Sequence, residues 1–167
     1  MKYAITIIIY FNVQLLLSQN FNSSKYGYKI VIQKNYTLKE ATGKNIDFKA
    51  VNLAGNSIII VVKKLSSELK NYNVFDMYST PKEDYEKSLS EYMPNPKFIK
   101  SGLSKLDNKD TYWYHYTSNQ ANERKMYHIN YCACFNGYLY VITCSCLEKD
   151  LDLNMPNFIR AIQSFQF

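Results

Sequence analysis

Arginine is nearly missing from this chain: the twenty basic residues comprise two arginines and eighteen lysines. Arg supplies the planar fork that grips phosphates and base edges, so its scarcity argues against a nucleic-acid partner. Glycine and proline are sparse too, at five and four residues, which excludes collagen-like and low-complexity architecture. Five scattered glycines leave no phosphate-cradling loop, and neither a Walker sequence nor H-E-x-x-H occurs. No G-x-S-x-G elbow is present, Asp76, Asp84 and the other carboxylates show no paired spacing, and cysteine is absent before Cys132. What remains is a globular composition, 47% hydrophobic and 20% charged over 167 residues, enough for one domain. Seventeen Asn and sixteen Tyr accompany the lysines, a combination that an AT-rich coding bias produces without selection on charge. The formal charge of +6 is therefore a weak attraction to acidic surfaces and nothing more.

The first residues, MKYAITIIIYFNVQLLLSQ, have a cation at Lys2, an apolar stretch from Tyr3 to Leu17 and a small residue at Ser18. That is the layout of a secretory signal over 1–18, with the cut expected after Ser18 or Gln19. Asn12 and Gln14 interrupt the apolar stretch, so it is a poor membrane span. The expected mature chain is secreted or periplasmic, without stable membrane insertion. Residues 19–27 are polar and read as a disordered tail, and 28–167 as a single domain.

Within that domain, 28–33 (YKIVIQ) alternates with β-branched residues and reads as a strand. Residues 46–53 alternate with period two, placing Ile46, Phe48 and Ala50 on one side. Gly55-Asn56 then turns the chain into 58–62 (IIIVV), a run that suits a central strand covered on both faces. The clearest helix is 80–93: Thr80 caps, Pro81 takes the first helical position, and Glu83 completes a T-x-x-E box. Tyr85, Leu89, Tyr92 and Met93 form its apolar face, and Pro94 ends it. Strands are expected at 98–106, 111–117, 125–135 and 138–146, the last two joined by Asn136-Gly137, a strong hairpin signal. A closing helix over 153–165 buries Met155, Phe158, Ile159, Ile162 and Phe165, with Pro156 in its first turn. Strands and helices do not alternate, which disfavours a doubly wound nucleotide-binding fold and indicates an α+β domain with an antiparallel sheet.

This order, with N-G-Y-L-Y-V-I-T-C-S at 136–145 and F-I-R-A-I-Q-S-F-Q-F at 158–167, resembles the PsbP-like family across 28–167. The family includes the photosystem subunit PsbP, Mog-type Ran-binding proteins and exported bacterial proteins. The resemblance implies a central antiparallel sheet flanked by helices on both faces, an α/β/α sandwich. It also implies a binding or assembly factor, with no common catalytic set to carry over. The chain departs from the family at Asn35-Tyr36-Thr37-Leu38, which replaces a frequent Pro/Gly-Trp turn, and in its cysteine-rich strands.

Three constellations are able to carry chemistry. Cys132-x-Cys134 and Cys144-x-Cys146 flank the Asn136-Gly137 turn, with His128 nearby. Zinc knuckles use wider spacing on turns, and these pairs lie inside strands. A two-residue loop pairs Phe135 with Tyr138 and puts the two cysteine pairs on opposite faces; a bulged three-residue loop pairs His128 with Cys144 and gathers them on one. Buried thiols, a disulfide and a metal or redox site are the three alternatives, in that order of preference. His115 and His128 read as structural rather than catalytic, because no partner geometry accompanies them. Tyr112, Tyr114 and Tyr116 alternate with Trp113 and His115, a pattern preferred for cross-strand packing, secondarily for a protein or small-ligand surface, and last for stacking single-stranded nucleic acid, which scarce Arg and export disfavour. Asn22-Ser23-Ser24 and Asn35-Tyr36-Thr37 match the glycosylation pattern, relevant only in a eukaryotic secretory pathway.

The expectation is an exported, non-enzymatic domain that binds another protein or assists an assembly. It has no catalytic, cofactor-binding or metal residues and no cofactor, and its partner and oligomeric state are undefined. The alternatives are a small apolar-ligand binder using the aromatic strand, and a thiol-based redox or metal protein using Cys132, Cys134, Cys144 and Cys146.

Overall fold

A computed structural model describes residues 18–69, 71–120 and 124–167. The expected signal segment lies outside them except for Ser18, and both expected cuts fall at the start of the first strand.

The elements run β1 (Ser18–Asn22), β2 (Lys29–Gln33), β3 (Tyr36–Leu38), β4 (Ile46–Asn52), β5 (Ser57–Lys64), α1 (Val74–Ser79), α2 (Lys82–Ser90), β6 (Lys97–Leu106), β7 (Lys109–Asn119), β8 (Lys125–Phe135), β9 (Tyr138–Leu147), a 3-10 turn (Glu148–Asp150) and α3 (Leu151–Gln163). Strands β3 to β9 make one seven-stranded sheet, ordered β3-β4-β5-β9-β8-β7-β6, in which every neighbouring pair is antiparallel. The expected α+β class with an antiparallel sheet is therefore present.

Side-chain alternation along the strands separates two apolar clusters. Phe48, Ile58, Ile60, Val62, Ile129, Tyr140, Ile142 and Cys144 meet Phe158, Ile162 and Phe165 of the carboxyl-terminal segment. Each of the Ile, Val and Phe side chains, withdrawn from water, contributes about 1.5–3 kcal/mol. The β1-β2 hairpin packs with α3 on this side: Ser164 accepts from the Val31 amide at 2.9 Å, and the Phe21 ring lies 4.7 Å from Phe48. The second cluster places Val74 and Met77 of α1, with Tyr85 and Leu89 of α2, against Tyr112, Tyr114, Tyr116 and Cys132.

Several expectations are corrected. Residues 19–27 are no tail, since 18–22 pairs residue by residue with β2; this polar stretch is ordered by Phe21 and the distant core, a stabilisation its composition does not reveal. A bulge between Ile46 and Phe48 breaks the alternation of β4 and turns Ile46 away from Phe48 and Ala50. Strand β5 is central, but only Ile58, Ile60 and Val62 are fully covered, while Ile59 and Val61 on its other face keep partial contact with solvent. Thr80 does not cap the helix that follows. It ends α1, its hydroxyl donating to the Asp76 carbonyl at 3.0 Å, and α2 starts behind Pro81 without a side-chain cap. The capping box sits seven residues earlier, where Asn73 Oδ1 accepts from the Phe75 amide and Asp76 accepts from the Asn73 amide, both at 2.8 Å. Tyr92 is exposed rather than part of the apolar face. The closing helix begins at Leu151, so Pro156 lies in its interior instead of its first turn.

Candidate functional site

The β8-β9 turn decides the fate of the cysteines. Asn136 and Gly137 have φ of 49° and 77°, and Phe135 pairs with Tyr138. This is the two-residue loop, whose two positive φ values match the right-handed twist of the flanking strands. It sets Cys132 opposite Val141 and Cys144 opposite Ile129, so the two cysteine pairs occupy opposite faces of the sheet. All four thiols are free. Burial pushes the Cys132 thiol up to about 12 and the Cys146 thiol up to about 11, and raises Cys144 and Cys134 as well. Thiols so displaced carry almost no thiolate at neutral pH, the opposite of a reactive or metal-ligating cysteine.

The histidines are also separated. His115 Nδ1 shares a hydrogen bond of 2.8 Å with the Tyr127 hydroxyl, and its ring meets Trp113 edge-on at 5.2 Å. His128 lies on the other face, bridging Ser118 (Nε2 to Oγ, 2.9 Å) and Ser145 (Nδ1 to Oγ, 2.8 Å), with Tyr116 stacked on it at 4.5 Å. A neutral imidazole has one donor and one acceptor nitrogen, so one hydroxyl accepts from the ring while the other donates to it. Burial lowers both histidines to about 4, and for His115 the Lys100 cation adds to the effect. A serine activated through His128 would need an acidic partner to steady the imidazolium. Both ring nitrogens are instead occupied by hydroxyls.

The aromatic strand divides in the same way. Tyr112, Tyr114 and Tyr116 form a stack with successive centroids 5.5 and 5.8 Å apart, closed over by Tyr85 and by Phe98. Burial raises all three phenols, and their rings are packed against α1 and α2 rather than open to a ligand. Trp113 points the other way, onto Gly102, where a Cβ would stand 2.7 Å from its ring. Asp84 lies in the first turn of α2, and Asp76 serves the Asn73 cap. Asn22 and Asn35 are both exposed, Asn22 closing β1 and Asn35 preceding β3.

The feature that the composition conceals is an apolar patch at the β6 side of the sheet. Phe75 and Tyr78, one turn apart on α1, are 54% and 52% exposed. Tyr78 meets Tyr112 edge-on at 6.3 Å, and Tyr112 is paired with Leu103 of β6, itself 41% exposed. Helix α1 is six residues long, too short for an amphipathic period, so the only sequence signal for it is N-x-x-D at 73–76. Single exposed apolar residues are ordinary on a protein surface, whereas a contiguous aromatic group marks an interaction site.

Comparison with known proteins gives a consistent picture. A model of the PsbP family matches residues 17–167. The solution structure of cyanobacterial PsbP (CyanoP) from Synechocystis sp. PCC 6803 superposes with a TM-score of 0.68 at 14% identity, covering 89% of this chain and 91% of that one. LpqN of Mycobacterium tuberculosis, described as involved in cell envelope biogenesis, gives 0.58 at 6% identity over 89% of each chain. A Bacteroides thetaiotaomicron VPI-5482 protein gives 0.62 at 9% identity, with 90% of this chain spanning 48% of that one. A search of curated proteins found no significant match.

Proposed function

The chain belongs to the PsbP family, and from that premise we propose that it is an exported, non-enzymatic domain that binds another protein outside the cytoplasm. The observation that carries this reading is the exposed group of Phe75, Tyr78 and Leu103. Exposed aromatic side chains cost solubility, and they are the residues that dominate protein interfaces when buried by a partner. The sheet with helical layers on its two faces, read as the family's α/β/α sandwich, serves as the rigid support for that patch. Export is supported by the signal-like layout of 1–18. The described residues contain no helix long and apolar enough to cross a membrane.

The experiment is recovery of the natural partner from the native extracytoplasmic fraction with tagged wild type, Phe75→Ser, Tyr78→Ser and Leu153→Ser. Leu153 is 79% exposed on α3 and serves as a control away from the patch. Loss of the partner in the two α1 variants alone supports the reading. Retention of the partner by both refutes the assignment of the patch, and turnover of a substrate by the purified protein refutes the non-enzymatic role.

A further inference from the structure

Strand β6 is an outer strand of the sheet and ten residues long, against three for β3 at the opposite edge. Its turn into β7 has Asp107 and Asn108 at φ of 46° and 60°, a two-residue loop that makes Leu106 and Lys109 the closing hydrogen-bonded pair. Alternation from that pair turns the backbone N–H and C=O of Lys105, Leu103 and Ser101 away from β7. A bulge between Phe98 and Lys100 ends the run. Beyond it, Phe98 donates its outward amide to Glu86 Oε1 at 2.8 Å, so this edge already holds one carboxylate on an outward donor. The side chains of Ser101 and Leu103 stand on the same face as Tyr114 and Tyr112, beside Tyr78.

The geometry points to strand addition: an extended, acidic segment of a partner protein pairs with residues 101–105 as an eighth strand, its alternate apolar side chains lying against Leu103, Tyr78 and Phe75. This deepens the protein-binding reading above and rests on it. Main-chain pairing supplies affinity in this mode, and the flanking side chains supply selectivity. Acidity follows from the charges around the edge. Lys97 and Lys100 have no carboxylate partner among the described residues, and Lys105 shares Asp110 at 3.5 Å in an exposed pair. Three acids of this region have their carboxylates directed at backbone amides rather than at these lysines: Glu86 at Phe98, Asp76 at Asn73 and Asp107 at Phe167. A second copy of the chain is a poorer occupant, because it sets its own three β6 lysines on the neighbouring strand, where like charges repel.

The test uses the full chain with two capped probe peptides, one alternating Glu and Val, the other Lys and Val. Binding is followed by fluorescence anisotropy at low and high salt, and the site by amide hydrogen exchange. The Glu-Val peptide is expected to bind and to slow exchange at Ser101, Leu103 and Lys105 by about tenfold or more, leaving β3 unchanged. Its affinity falls several-fold as salt rises. Leu103→Asp, and separately Ser101→Pro, which deletes an outward donor that the sheet does not use, each weaken it by about tenfold or more with thermal unfolding preserved. Equal or tighter binding of the Lys-Val peptide, protection away from β6, or no binding overturns the proposal. So does self-association abolished by Leu103→Asp, which identifies a second copy as the occupant. If Phe75→Ser loses the natural partner while β6 amides stay unprotected by the Glu-Val peptide, strand addition fails and the protein-binding reading stands. A partner retained by the α1 and β6 variants alike removes strand addition and the α1 patch together, and moves the binding surface elsewhere on the protein.

Discussion

Acidification provides a sharp test of the buried histidines. In an unfolded chain both imidazoles titrate near 6.5, whereas burial lowers His115 and His128 to about 4 in the folded protein. Above pH 6.5 neither state binds these protons, so the histidines make no pH-dependent contribution. As pH falls below 6.5 the unfolded chain takes up protons first, and the folded state loses stability until pH approaches 4. A fall of this size corresponds to a ceiling of about 3 kcal/mol per imidazole. His128 as a residue is half-buried, so about 2 kcal/mol is the working figure for it. Against a typical net stability of about 5–15 kcal/mol, the two together weigh heavily. The measurement is urea unfolding, followed by Trp113 fluorescence, at pH 7, 5.5 and 4 for wild type and His128→Gln. Glutamine keeps a donor and an acceptor for Ser118 and Ser145 but does not titrate. The variant is expected to start about 1 kcal/mol less stable at pH 7, from imperfect hydrogen bonding. It should then lose about 2 kcal/mol less than wild type on going to pH 4. Carboxylates titrate equally in both proteins and cancel. Parallel pH profiles refute the view that His128 is held neutral by burial.

Three further outcomes follow from local geometry. Gly102→Ala places a Cβ 2.7 Å from the Trp113 ring, so the ring must shift; a loss of about 1–3 kcal/mol and an altered Trp emission spectrum are expected. Asn73→Ala removes the acceptor for the Phe75 and Asp76 amides, costing about 1 kcal/mol in thermal unfolding and loosening the helix that carries Phe75 and Tyr78. Thiol titration is expected to find Cys134, the one cysteine that is not fully buried, reacting first in the native protein. All four react at once after denaturation, and a native reactivity equal to the denatured one overturns the burial argument.

The β8-β9 hairpin shows how far local chemistry reaches. Asn136-Gly137 announces a turn, and residues 125–135 are read from the sequence with the bounds they have in the fold. Whether the loop has two residues or three was not legible, because both lengths accept Asn-Gly. That single residue decides whether four cysteines converge or part. Helix α2 and the closing helix were visible through their apolar spacing, whereas α1 was not, since six residues hold too little pattern. The exposed patch escaped for the same reason: Phe75, Tyr78 and Leu103 are unremarkable until α1 folds down beside β6.

The sequence alone determined those features that a few neighbouring residues enforce: the strands that alternate, the turns that need positive φ, the scarcity of Arg, and the family resemblance that this order carries. Tertiary structure decided everything that depends on distant partners. It made a strand of the polar stretch 18–22 by pairing it with β2, and it moved the capping box from Thr80 to Asn73. It placed the cysteine pairs on opposite faces and left β6 as a long open edge. Backbone pairing and burial are settled by the whole fold at once, because a strand gains its stability from whichever neighbour completes its hydrogen bonds and excludes water from its side chains.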